Sequence, residues 1–273
     1  NDAHCSYDAF DPLVYKANLE KLILQILESN PNCAILLTVP NDDYYMRKYP
    51  NRNTARQREV IFQLAAQYQM AVWDFYGIMG ELGSSKTWFR SGLMRDDLVH
   101  FTAKGYHLKG DLYFDAFLKW WPELSQKLME IRITGGEPSQ SRNFWQFMDT
   151  MKQYPSPNLR LAVNSNLGLN ETTVNRLISI SHELDIKEFD LYTSCEAYGV
   201  QAEYIRDGLN YELWRSNLVK VIENAKIRQV VIMMTINSLC LFSITEFLDD
   251  MLTLKEKYGT HKPIVDFNIL RWP

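Results

Sequence analysis

Apolar positions along the chain fall into two alternating spacings. Within residues 14–28, Leu19, Leu22, Ile23, Ile26 and Leu27 recur at helical intervals. Residues 33–39 then form a continuous apolar run closed by Pro40, the pattern of a strand buried on both faces. Residues 41–45 (Asn-Asp-Asp-Tyr-Tyr) read as a loop. A second helix is predicted over 54–69, where Val60, Ile61, Leu64, Ala65 and Tyr68 share one face. A second strand follows over 71–76. A long helix is predicted over 102–120, with Thr102 as its N-cap.

Beyond Trp120-Trp121-Pro122 the alternation resumes. Strands are predicted over 131–134, 159–163, 188–192, 230–236 and 264–270, with helices over 144–152, 171–182 and 213–224. Repeating strand–helix units of roughly thirty residues form a parallel sheet or barrel. Two α/β units are expected, 1–121 and 122–273, the first with about two strands by this pattern; no Gly/Ser spacer separates them, so they are expected to pack closely or share the long helix.

Composition narrows the partners. Hydrophobic residues make up 46% and charged residues 23%, the balance of an ordinary globular protein. The net charge is −4 and there is no long basic run, which argues against nucleic acid and membrane surfaces. The longest apolar runs, such as 230–234, are too short to span a bilayer. The first residues are polar, unlike a secretory signal, so a cytoplasmic location is expected. Four cysteines, at 5, 33, 195 and 240, are scattered and form neither a disulfide framework nor a metal cluster. The expected partner is therefore a small molecule or an ester.

Two stretches carry candidate chemistry. In Asp97-Leu-Val-His100 the carboxylate can fold back onto the imidazole and fix its tautomer, as the acid of an acyl-transfer triad does. The same pattern also fits an exposed acidic loop beside a helix start. The second stretch is the strand at 131–134, which runs into Gly135-Gly136-Glu137-Pro138. The glycines let a backbone approach a ligand, and Glu137 stands at a strand's carboxyl end, where parallel sheets place ligands. Polar residues recur after the later strands: Asn164 and Asn166, Ser194 and Glu196, and Asn237. Each could equally terminate its own strand. Arg206 is a candidate carboxylate clamp or a solvated cation.

Residues 92–106, Gly-Leu-Met-Arg-Asp-Asp-Leu-Val-His-Phe-Thr-Ala-Lys-Gly-Tyr, resemble the last sequence block of SGNH (GDSL-type) hydrolases. Asn1-Asp2 resembles the end of their Gly-x-Asn-Asp block. The resemblance implies part of a flavodoxin-like three-layer fold, with Asp97 and His100 as triad acid and base and Asn1 as an oxyanion donor. The family's Gly-Asp-Ser nucleophile segment does not occur in these 273 residues, and Ser84, Ser85 and Ser91 lack a nucleophile-elbow pattern.

The second half resembles radical S-adenosylmethionine (SAM) proteins of the twitch-domain type. Thr134-Gly-Gly-Glu-Pro138, Asn164-Ser-Asn166, Ser194-Cys-Glu196, Tyr204-Ile-Arg206 and Thr235-Ile-Asn237 carry the match. This resemblance implies a partial parallel (βα) barrel. SAM would be held by Gly135, Gly136, Glu137, Pro138, Asn164, Asn166, Ser194, Glu196, Arg206 and Asn237, beside a [4Fe–4S] cluster. The family's Cys-x-x-x-Cys-x-x-Cys ligand triplet is absent, so no metal-binding residue is expected here. The expectation is a chimeric or truncated chain. Three function classes compete: an ester hydrolase, a SAM-binding enzyme, and a catalytically silent α/β protein.

Overall fold

The computed structural model describes residues 7–269. The chain divides into two compact units, one ending at Lys119 and one beginning at Trp120. The division falls inside a helix, Ala103–Leu124, which carries Pro122 in its last turn. Among the described residues, no helix is long and apolar enough to cross a membrane.

The first unit is built on two parallel strands, β1 (Leu36–Val39) and β4 (Ala71–Asp74), paired Leu36↔Ala71 through Val39↔Asp74. A short antiparallel pair, β2 (Tyr44–Tyr45) and β3 (Tyr49–Pro50), lies within the stretch that begins as the predicted loop. Strand side chains alternate between faces. Leu37 and Val72 meet helices α1 (Pro12–Ser29) and α2 (Asn53–Tyr68), with Ile23, Val60, Ile61 and Leu64 buried between the layers. Leu36 and Trp73 meet the opposite layer, where Leu112 and Ala116 come from the long helix α5 (Ala103–Leu124). The result is helix, sheet, helix. The second strand is shorter than predicted. Asp74 ends it by capping the turn of α3 (Phe75–Met79), accepting from the Gly77 N–H at 3.1 Å. A second short helix, α4 (Ser84–Arg90), follows.

The second unit is a five-stranded parallel sheet: β5 (Glu130–Ile133), β6 (Ser156–Asn164), β7 (Ile186–Ser194), β8 (Gln229–Ile236) and β9 (Ile264–Ile269), in sequential order. Its helices are α6 (Arg142–Gln153), α7 (Glu171–Glu183), α8 (Gly199–Ile205), α9 (Tyr211–Asn224) and α10 (Ile244–Tyr258). Connections of constant hand between neighbouring strands deliver their helices to one side. One sheet face is accordingly apolar. Leu159, Leu161, Val163, Phe189, Leu191, Val230, Ile232 and Met234 are buried there, and Trp214 of α9 donates its indole N–H to Thr193 Oγ1 at 3.0 Å.

The opposite face departs from the continuous apolar strands expected of a parallel sheet. There Arg160 pairs with Glu188 at 2.9 Å, Arg228 pairs with Asp190, and Arg132 lies 4.4 Å over the Tyr192 ring.

One buried side chain ties the layers of this unit together. Asn217 of α9 donates to the carbonyls of Leu167 and Leu169, both at 2.8 Å, in the loop between β6 and α7. A leucine there would leave two buried carbonyls without donors, so Asn217→Leu should cost about 2–4 kcal/mol. Urea unfolding followed by far-UV circular dichroism measures it. A loss within a few tenths of a kcal/mol would show that water reaches those carbonyls.

Candidate functional site

Asp97 and His100 occupy a tight loop whose shape the sequence dictates. Met94 and Phe101 form an isolated antiparallel bridge, and the Arg95 N–H donates to the His100 carbonyl at 2.8 Å, which closes the loop. Leu98 takes a positive φ of 57° at its apex. Asp97 Oδ1 accepts from the backbone N–H groups of Val99 and His100, each at 2.9 Å, while Oδ2 lies 2.9 Å from His100 Nδ1. A carboxylate can only accept, so Nδ1 carries the proton and the Nε2 lone pair is left to act as a base.

Burial raises the Asp97 carboxyl, but the His100 N–H, the imidazole and the Val99 N–H outweigh it. The carboxyl falls to about 2. The imidazole side chain is 61% exposed. Among the described residues Asp97 is its hydrogen-bond partner.

Three features hold this loop; the first, the Thr102 N-cap, is expected from the sequence, and the other two are not. Thr102 Oγ1 accepts from the Gly105 N–H at 3.2 Å, as an N-cap of α5 does, and also donates to the Gly92 carbonyl at 2.8 Å. Gly105 sits so close to the segment before the loop that a Cβ would stand 1.9 Å from the Leu93 carbonyl oxygen. The residues after β1 complete the support: Tyr44 donates its N–H to the Leu98 carbonyl at 3.2 Å, and Asn41 Nδ2 approaches the Val99 carbonyl at 3.4 Å. The acid–base pair therefore stands at the carboxyl end of the small parallel sheet.

Beside it Asp42 is fully buried. Its Oδ2 accepts from the Gly83 N–H, the Ser85 N–H and the Ser85 hydroxyl, and burial still pushes its carboxyl up. Ser85 is thereby engaged away from His100, and the Ser91 hydroxyl donates to the Thr87 carbonyl. Asn1 lies outside the described residues.

The strand-end residues of the second unit stand along one edge, because the parallel registers align Ile133 with Val163, Asn164 with Tyr192, and Ser194 with Met233. Most of their polar groups, however, are spent on the protein itself. Glu137 Oε1 accepts from the Ser139 N–H at 3.1 Å and its hydroxyl at 2.6 Å. Its Oε2 accepts from the Ser165 hydroxyl at 3.0 Å and the Asn166 N–H at 2.7 Å. The carboxylate expected to face a ligand thus clips the end of β5 to that of β6. Pro138 opens the one-turn 3₁₀ helix that this clip caps.

Asn166 accepts from the Gly168 N–H, and Asn237 closes its own turn onto Leu239. Arg206, expected to clamp a carboxylate, is held by both oxygens of the buried Glu196, each at 2.5 Å. Two proposed ligand residues therefore satisfy each other. Gly135 needs its φ of +134°, but a Cβ on either glycine would meet nothing within 4 Å, so neither marks a close approach within the protein. Ser194 is half-buried. Asn164 Oδ1 is buried with no hydrogen-bond partner among the described residues.

These residues do not suit an iron–sulfur cluster. Cys195 and Cys240 are buried and apart in sequence, and burial pushes the Cys195 thiol up to about 12, away from the thiolate a cluster requires. Among the described residues no group of three His, Cys, Asp or Glu side chains could hold a metal ion.

Residues 1–108 match the profile of the family described as GDSL-like Lipase/Acylhydrolase family. No curated protein matches the chain. A solved structure titled "Peptidoglycan O-acetylesterase in action, 5 min" is similar at 23% identity and a TM-score of 0.41, over 44% of this chain and 35% of that one. The chain thus spans about a third of the length of that solved protein.

The depressed Asp97 carboxyl gives a pH signature. A lowered folded-state value contributes stability above the ordinary range near 4, and that contribution is lost as pH falls toward 2. Carbon-detected NMR titration should place Asp97 near 2. A midpoint near 4 would mean the three donors do not hold the carboxylate in solution.

Proposed function

We propose that the first unit is the acid–base part of a GDSL-type ester hydrolase. The observation that carries this is the Asp97 Oδ2–His100 Nδ1 contact of 2.9 Å, within the stretch that matches the family profile. In this reading Asp97 fixes the imidazole tautomer and stabilises the imidazolium. His100 Nε2 takes the proton from a serine hydroxyl as that oxygen attacks an ester carbonyl, then returns it to the leaving alkoxide. Such general-base assistance contributes about 10²–10⁴-fold. The serine is not among these 273 residues by pattern, and the hydroxyls of Ser85 and Ser91 are engaged elsewhere. Asn1 would donate to the oxyanion in the same scheme.

This 273-residue chain should therefore release no burst of p-nitrophenol from p-nitrophenyl acetate. A longer chain that carries a Gly-Asp-Ser segment should show a burst stoichiometric with enzyme, and His100→Ala should slow its turnover by 10²-fold or more, about the low end of general-base assistance. A burst from these 273 residues that Ser91→Ala removes would overturn the statement that they lack the nucleophile, while a longer chain whose burst and turnover are unchanged by His100→Ala would sink the acid–base assignment.

A second reading concerns the second unit. Its polar strand ends, aligned along one edge of a sequential parallel sheet, favour a small-molecule edge of the kind found in (βα) barrels. SAM is the ligand its resemblance suggests, and the reading covers binding alone. A SAM amino acid moiety would have to compete with Glu196 for Arg206. Isothermal titration with SAM should give weak, saturable binding. Anaerobic reconstitution with iron and sulfide should give no cluster absorbance. Absence of any SAM heat would remove the binding reading, and a stoichiometric cluster would restore the redox one.

A further inference from the structure

A cavity of about 500 Å³ opens at the opposite end of the second unit, among the amino ends of β7 and β8 and the residues leading into β9. That volume lies within the range of small-molecule sites, roughly 300–1,000 Å³. Its lining is basic: Lys187, Lys226, Arg228 and Lys262 against a single carboxylate, Glu188. Arg228 is not available to a ligand, since its guanidinium is turned onto Asp190 and Glu188. Glu188 is claimed a second time by Arg160 at 2.9 Å. Four lining cations against the two carboxylates that Arg228 binds leave two positive charges in excess, in a chain whose net charge is −4. Among the described residues, Lys226 and Lys262 enter no ion pair.

The kind of cation left over decides the ligand chemistry. A guanidinium grips a planar carboxylate through two parallel hydrogen bonds, whereas an ammonium is a compact point charge. With the arginine occupied, the free cations lining the cavity are lysines, suited to a tetrahedral, multiply charged headgroup. Leu184 and Ile227 add apolar wall beside them, and Ser181 already accepts from the Lys226 N–H at 2.9 Å and so serves the frame.

We propose that this cavity binds a small phosphorylated organic molecule, with Lys187, Lys226 and Lys262 on the phosphate and the apolar wall against the organic part. The site is independent of the strand-end edge and of the acid–base pair, so its test is independent of the hydrolase reading.

The test is calorimetric titration of the full chain with inorganic phosphate, adenosine 5′-monophosphate and succinate. The monophosphate should bind saturably, more tightly than phosphate alone, with an affinity that falls as salt is raised. The double variant Lys226→Glu, Lys262→Glu should weaken it at least about tenfold, the order expected when two charges facing the headgroup are reversed. The exposed Lys187→Glu serves if the double variant melts early. No saturable binding of either phosphate probe, equal affinity in the folded variants, or succinate binding as tightly as phosphate would each overturn the proposal.

Discussion

Parallel pairing places every strand's carboxyl end along one edge of a sheet, and each chain must turn there with its backbone groups satisfied. That requirement governs both units. After β5 the turn is closed by Glu137, whose two carboxylate oxygens take donors from its own 3₁₀ turn and from the turn after β6. Beyond β7 the closure is ionic, Glu196 with Arg206. After β1 it is Asp42 reaching Gly83 and Ser85. Side chains that look like a ligand set in one dimension are, in three, largely the fasteners of the edge.

Two aspartates of the first unit show how burial and donors compete. Asp97, partly open to water, is drawn down by two backbone N–H groups and an imidazole. Asp42 also has three donors, all on one oxygen, yet burial prevails and its carboxyl rises. Its other oxygen is buried with no hydrogen-bond partner among the described residues, and the desolvation of that atom goes uncompensated. The same functional group thus serves as a charged orienter in one loop and as a frame element in the next.

Much of the architecture was legible in the sequence. The strands predicted over 159–163, 188–192 and 230–236 lie inside β6, β7 and β8, and the helical spacing within 14–28 marks α1. The Asp97–His100 contact was one of two readings that its three-residue spacing allowed, and the tight loop that brings it about was not itself legible. What escaped were features with no local signature. The role of Gly105 depends on a carbonyl that is twelve residues earlier in the chain, and Arg206 is claimed by a glutamate ten residues before it. The charged face of the second sheet escaped too, because Arg160, Glu188, Arg228 and Asp190 compensate one another only once their strands are side by side.

The sequential order of the five strands also bears on how this sheet is assembled. Each strand pairs with the one just before it along the chain, so every closure spans only the helical connection between consecutive strands, one α-helix or, between β7 and β8, two, and no late strand has to be threaded between two early ones. Loop-closure entropy is then met in successive local steps, and a nascent chain can add strands in the order it is made. Such a sheet grows from either end by accretion, as repeat proteins do, and loses or gains a terminal strand without rewiring those that remain.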